Sequence, residues 1–166
     1  MNVIIMRGLP GSGKDTYIKN NAKAFPAEPV ICSADDYFVN NGIYKFDPRG
    51  LTMAHHNCMS LFLRSLAEKK PLIIVNNTNC ELWEFDNYIT AAELAGYEWM
   101  IVDLYDGIQT NEELARRNIH GVPEQGIVNM RQRWMKLRKA REGGIEIFPQ
   151  TGTGMRDYLE YVLTFY

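Results

Sequence analysis

Short, wholly apolar runs alternate along the chain with longer stretches in which apolar residues recur every three or four positions. Val3-Ile4-Ile5-Met6 and Leu72-Ile73-Ile74-Val75 carry apolar residues on both alternating faces, the pattern of strands covered on both sides in a parallel sheet. Pro29-Val30-Ile31-Cys32 and Trp99–Leu104 read as two further strands. Between them the spacing predicts helices. One runs from about Gly13 to about Ala24, and a second carries Leu51, Ala54, Cys58, Leu61, Phe62 and Leu66 up to Lys69-Lys70. A third is marked by Leu82, Phe85, Ile89 and Ala92 and stopped by Gly96. Helical spacing returns at Asn111–Arg117. After the break Gly121-Val122-Pro123 it resumes over Glu124–Arg141, with a stripe of Ile127, Met130, Trp134 and Leu137. Phe38–Gly50, holding Gly42, Pro48 and Gly50, reads as a loop with a turn of helix. Strand–helix alternation with doubly buried strands predicts a three-layer α/β domain around a parallel central sheet.

Ligands of such domains sit beyond the carboxyl ends of the strands, and three predicted strand ends carry polar clusters. The first is Gly8-Leu9-Pro10-Gly11-Ser12-Gly13-Lys14-Asp15-Thr16. Its glycines let the backbone turn several N–H groups inward, and the following helix brings its positive end to the same place. Lys14 then reaches the outer phosphates as a point charge. The segment is a phosphate-binding P-loop, and Gly8, Pro10, Gly11, Ser12, Gly13, Lys14, Asp15 and Thr16 are the expected nucleotide contacts. Asp15 stands where the motif normally carries Ser or Thr. The second cluster is Ser33-Ala34-Asp35-Asp36 and the third is Asn76-Asn77-Thr78-Asn79. All three are expected to converge on one crevice.

At 166 residues, 46% of them hydrophobic and 23% charged, the chain suits one globular domain with a real core. No apolar run approaches membrane-spanning length and no signal-peptide pattern opens the chain, so a cytoplasmic location is expected. Cys32, Cys58 and Cys80 are odd in number and widely spaced, as reduced core thiols would be. Net charge is −2, yet six of the 18 basic residues fall between Arg131 and Arg141, leaving 12 against all 20 acidic residues elsewhere. That run reads equally as a solvated helix face or as a basic face for an anionic partner. His55 and His56 have no metal-spaced partner and read as structural.

Taken in order, Gly8–Thr16, Ser33-Ala34-Asp35-Asp36-Tyr37-Phe38, Asn76-Asn77-Thr78-Asn79 and Leu114-Ala115-Arg116-Arg117-Asn118-Ile119-His120-Gly121-Val122 resemble a known set. They are similar to the P-loop kinases related to the kinase domain of phage polynucleotide 5′-hydroxyl kinase. The resemblance covers roughly residues 1–140. It implies a kinase domain over residues 1–142; residues 143–166 fall outside the resemblance and are expected to be a C-terminal extension packed on the same domain. It also implies ATP and Mg²⁺ as cofactors and transfer of the γ-phosphate to an alcohol on a nucleic acid. The acceptor would be a 5′-OH end or the hydroxymethyl group of a modified base such as 5-hydroxymethyluracil in phage DNA. Asp35 matches the aspartate that takes the proton of the attacking hydroxyl, with an N-cap role as the alternative for Asp35-Asp36. Arg116 and Arg117 match an arginine-bearing lid over the triphosphate, and as the end of a short helix they could equally be salt-bridged to Glu112-Glu113.

Three positions depart from the family pattern: Asp15, Asn76 in place of the aspartate usual after the third strand, and Phe38 in place of a substrate-gripping arginine. Asp15 is the expected Mg²⁺ ligand, since a carboxylate suits a hard cation. Two other functions fit the same residues, a small-molecule nucleoside or nucleotide kinase and a non-catalytic ATP-binding module. The aromatic stretch from Tyr37 to Phe46 reads as a packed loop or as a base-stacking surface.

Overall fold

The computed structural model describes residues 1–104, 108–139 and 147–149, with 135–139 and 147–149 described as backbone. The strands are β1 (Asn2–Arg7), β2 (Val30–Cys32), β3 (Val39–Asn40), β4 (Ile43–Tyr44), β5 (Leu72–Asn76), β6 (Glu98–Asp103) and β7 (Ile147–Pro149). The helices are α1 (Lys14–Asn21), α2 (Leu51–Ala67), α3 (Asp86–Leu94), α4 (Asn111–Arg117) and α5 (Glu124–Lys139). Five strands form one sheet in the order β2-β5-β1-β6-β7, and each neighbouring pair is parallel.

Alternation along the strands sends side chains to two separate cores. On one face Val3, Ile5, Ile73, Val75 and Ile101 meet Ala54, Cys58, Phe62 and Leu66 of α2 and Ile89 and Ala92 of α3. On the other Ile4, Met6, Leu72, Ile74 and Val102 meet Ile18 of α1. Both faces are therefore covered, as the continuous apolar runs require. A third cluster of Leu9, Cys80, Leu114, Ile127 and Trp134 lies past the strand ends and fastens α4 and α5 to the P-loop side. α3 ends with Gly96 at φ 74, while Tyr97 N donates to Ala92 O at 2.9 Å. Glycine stops the helix there because that backbone angle strains any side chain with a Cβ.

Two stretches differ from the sequence reading. Phe38–Gly50 is an antiparallel hairpin, β3 with β4, followed by a 3-10 turn at Pro48–Gly50. Its turn is Asn41 (φ 50) and Gly42 (φ 78), the pair of left-handed residues that a two-residue hairpin needs. Leu82 belongs to a 3-10 turn, Leu82–Glu84, before α3 begins. In α2 Leu51 is exposed, and Ser65 joins the buried face by donating its hydroxyl to Leu61 O at 2.8 Å. The expected extension over 143–166 contributes β7 to the sheet edge, and its other residues lie outside the described ones, as does the side chain of Leu137.

The three cysteines are free and buried. Burial pushes the Cys32 thiol up to about 12 and the Cys80 thiol to about 11, so both stay protonated and inert as nucleophiles. Among the described residues no helix is long and apolar enough to cross a membrane.

Candidate active site

Strand order decides where the polar clusters go. β5 lies between β1 and β2, so the ends that lead into the P-loop, into Ser33–Asp36 and into Asn76–Asn79 are adjacent. The P-loop leaves β1 as Gly8 N donates to Thr78 O at 3.1 Å, and Ser12 N closes a turn onto Leu9 O at 3.0 Å. Gly11 and Gly13 take φ values of 78 and 94, which favour glycine. Gly11 has a further constraint, because a Cβ there would collide with the backbone carbonyl of Leu114 in α4. Pro10 is buried and has no N–H to offer, so it shapes the loop.

Lys14 opens α1 and folds back over the loop, its Nζ donating to Gly8 O at 2.9 Å and Leu9 O at 3.4 Å. Burial pulls its pKa down, and the nearby carboxylates of Asp15 and Asp35 oppose that shift. A buried cation held only by carbonyls is a strong attractor for an anion. Among the described residues Ser12 Oγ is buried without a hydrogen-bond partner. An orphaned hydroxyl inside a glycine cradle, beside a lysine and a helix start, fits phosphate oxygens.

Asp15 lies in the first turn of α1, and its Oδ1 accepts from Asn76 Nδ2 at 2.7 Å. Two of the three departures from the family pattern are thus hydrogen-bonded to each other. Asp15 is exposed and its second oxygen makes none of the described hydrogen bonds, as a metal-binding carboxylate requires. Among the described residues no three His, Cys, Asp or Glu side chains gather as a metal site. Mg²⁺ held by one carboxylate and substrate phosphates needs no such group. Thr16 is exposed on α1.

The 3-10 turn Ala34–Phe38 is capped by Ser33, whose hydroxyl accepts from Asp35 N at 3.3 Å. The cap is therefore neither Asp35 nor Asp36, and both carboxylates are available for other work. Asp35 Oδ1 accepts from the Tyr44 hydroxyl at 3.0 Å, and Oδ2 lies 3.7 Å from His120 Nε2. Desolvation, followed by the charges of Asp35 and Asp15, raises the pKa of Asp36. Those shared influences gather Lys14, Asp15, Asp35 and Asp36 in one electrostatic neighbourhood.

The third cluster is mostly structural. Asn77 Oδ1 accepts from Ala34 N at 2.9 Å, and its Nδ2 faces Cys58 Sγ at 3.4 Å. Asn79, at φ 50, donates to Met6 O at 2.8 Å. Among the described hydrogen bonds, Asn76 is the one side chain of the cluster that reaches a P-loop residue. Arg116 and Arg117 end α4, exposed and without an ion pair among the described residues. Glu113 is occupied in a capping box with Thr110, so the alternative pairing within the helix does not form. From the basic run, Arg131 is tied to Asn111 and Gln109 and Arg133 to Glu81 and Glu84. Both brace the body, while Lys136, Arg138, Lys139 and Arg141 lie outside the described side chains. His55 and His56 are exposed on α2.

Sequence reasoning passed over Tyr44 and Arg7. Tyr44 was one aromatic among several, and only the hairpin register brings it to Asp35. Arg7 is 2% exposed at the end of β1. It donates to Asn79 O at 2.8 Å, Asp103 Oδ2 at 3.1 Å and Cys80 O at 3.2 Å. Its guanidinium also lies 4.0 Å from the ring centroid of Trp134.

Comparison with known proteins agrees with this geometry. Residues 3–142 match the family described as AAA domain. The chain is 35% identical over 137 residues to NEDD4-binding protein 2 of Homo sapiens; the match covers 81% of this chain and 8% of that protein. It therefore spans less than a tenth of the length of that relative. A chain of the Pnkp1/Rnl/Hen1 RNA repair complex superposes with a TM-score of 0.65 at 16% identity, covering 92% of this chain and 50% of that one. A gluconokinase from Sinorhizobium meliloti 1021 superposes with a TM-score of 0.54 at 15% identity, covering 98% and 90%. At such identities the superpositions show a shared kinase-type P-loop fold. With the parallel sheet, the glycine loop at the end of β1 and a match over residues 3–142, the chain belongs to the AAA-domain family.

Proposed function

We propose that this protein transfers the γ-phosphate of ATP to a hydroxyl group on a nucleic acid, with Mg²⁺ as the metal. The observation that carries the reading is Asp35, a half-exposed carboxylate at the end of β2, with β5 between it and the P-loop strand, and close enough to influence Lys14. An ionised carboxylate beside a phosphate cradle can take the proton of an alcohol as its oxygen attacks. The acceptor O–H bond breaks toward Asp35, a new O–P bond forms, and the γ-phosphorus parts from the β-phosphate oxygen to leave ADP. Lys14 and the loop N–H groups bind and neutralise the phosphates. Arg116 and Arg117, exposed at the end of a helix that abuts Gly11, are assigned to close over them as a lid. Asp15 is assigned to Mg²⁺, which when bound neutralises phosphate charge.

The nucleic-acid acceptor draws on the likeness to a chain of an RNA repair complex and on exposed Tyr37 and Phe46, whose rings both pack on Phe38 at the end of the turn that carries Asp35. Buried free thiols suit a reducing cytoplasm. Residues 143–166 are assigned to the same domain as its C-terminal extension. A small-molecule acceptor is the second reading. It is favoured by Arg131 and Arg133, which are tied into the body and so do not form a basic face.

Transfer of label from [γ-³²P]ATP to a panel separates these readings. The panel holds 5′-hydroxyl RNA and DNA oligonucleotides, DNA containing hydroxymethyluracil, free nucleosides and gluconate. Label on a polynucleotide supports the first reading, and label on a small acceptor alone supports the second. ATP binding with no transfer leaves a non-catalytic nucleotide-binding module.

A further inference from the structure

The segment after α4 is built to hold one side chain. Asn118 Oδ1 accepts from His120 N at 3.0 Å and Val122 N at 3.1 Å, and Asn118 Nδ2 donates to Ala115 O at 3.2 Å and Val122 O at 2.9 Å. Gly121 completes the turn at φ 68. Four hydrogen bonds from one amide make this a fixed bracket, and it carries His120 to the β3–β4 hairpin. There the His120 ring lies 4.5 Å from that of Tyr44, and its Nε2 lies 3.7 Å from Asp35 Oδ2.

The distances around Asp35 divide its two oxygens. Oδ1 holds the Tyr44 hydroxyl at 3.0 Å, which fixes the plane of the carboxylate. Oδ2 and His120 Nε2 are too far apart for a direct hydrogen bond. One oxygen atom placed between them can reach both, since two hydrogen bonds of about 2.8 Å span separations up to about 5.6 Å. Both side chains face solvent, Asp35 48% and His120 29% exposed, so the gap is open to a ligand.

We propose that His120 is an acceptor-binding residue, and that its imidazole and Asp35 Oδ2 bracket the attacking hydroxyl while Tyr44 holds Asp35 in place. This rests on the reading of Asp35 as the base. The hydroxyl gives its proton to Asp35 Oδ2 and accepts from His120 Nε2–H with one lone pair. Its other lone pair forms the bond to the γ-phosphorus as the bond to the ADP oxygen breaks. The proton then leaves Asp35 to water. His120 serves as a hydrogen-bond donor throughout and keeps its own proton, so an amide can replace it. Tyr44 is a positioning residue.

The test uses the full chain, ATP and whichever panel acceptor the wild type phosphorylates. His120→Ala is expected to lower kcat/KM for the acceptor by about 10- to 100-fold, the scale of leaving a bound polar group without its hydrogen-bond partner. Mg-ATP affinity, read by calorimetric titration, stays at the wild-type value. His120→Gln, with an N–H near the position of Nε2, regains most of the loss. His120→Phe keeps the ring contact with Tyr44 and stays impaired. Wild-type acceptor kinetics in His120→Ala overturn the proposal and leave the kinase reading standing. Full recovery in His120→Phe also overturns it, by reducing His120 to packing, and an equal fall in ATP affinity does so by reducing the bracket to a support for the P-loop. A wild type that phosphorylates nothing removes this inference together with the reading beneath it.

Discussion

In the proposed reaction Lys14 and Asp35 divide the labour at the scale of single residues. Lys14 contacts only P-loop carbonyls, so Lys14→Ala is expected to abolish phosphoryl transfer while leaving circular dichroism and the unfolding midpoint near wild type. Retained turnover would remove the P-loop assignment. Asp35→Asn is expected to keep ATP binding and lose about 10²-fold in transfer, the lower scale for a positioned base. Asp36→Asn should transfer normally and differ in stability. The pKa of Asp36 is raised from its ordinary 3.8 by desolvation and by Asp35 and Asp15. A raised acid contributes its stability below the unfolded value and loses it as pH rises through the folded one. Asp36→Asn is therefore expected to melt slightly above wild type at neutral pH, with the gap closing below about pH 4. An inactive Asp36→Asn with a normal Asp35→Asn would exchange the two roles.

Local elements show which parts of the site could be read in advance. The P-loop was legible because its chemistry is contiguous, a strand, three glycines and a lysine within twelve residues. The hairpin was equally contiguous, since Asn41-Gly42 between Val39-Asn40 and Ile43-Tyr44 is a strong hairpin signal. The glycines and proline of 38–50 drew the reading toward a loop instead. The link between Asp15 and Asn76 was not legible. It joins the start of α1 to the end of β5 across 61 positions, and only the β1–β5 register brings those ends together. That link bears on the proposed metal role, because Asn76 holds one carboxylate oxygen and the other makes none of the described hydrogen bonds. Asp15→Ala should raise the Mg²⁺ concentration needed for half-maximal transfer, and Asp15→Ser should largely restore it. Tighter, less metal-dependent ATP binding in the serine variant, measured by titration at several Mg²⁺ concentrations, would mark Asp15 as a brake on the site.

The whole molecule depends on a contact that no local pattern announces. Arg7 follows the apolar run of β1, where a sequence reading sees a strand end about to enter the P-loop. In the fold its guanidinium is buried where β1, β6, the segment after β5 and α5 meet. Its neighbours Leu9, Cys80 and Trp134 belong to the cluster that fastens α4, and the α4 backbone rests on Gly11. One buried cation thus connects the sheet to the helix that carries both arginines and leads to His120. Removing one partner of a buried ion pair strands the other charge and costs about 3–5 kcal/mol. Arg7→Met, close in length and apolar, is therefore expected to lower unfolding free energy in urea by about 3 kcal/mol or more. Arg7→Lys should recover little of that loss, because an ammonium cannot supply the three directed contacts of a planar fork. If Arg7→Met unfolds like wild type, the site end of the molecule is held by the apolar cluster alone. If it is destabilised as expected, Mg-ATP should raise the unfolding free energy of wild type and variant alike and leave the gap between them, since a ligand bound by both folded states at the same affinity stabilises both equally.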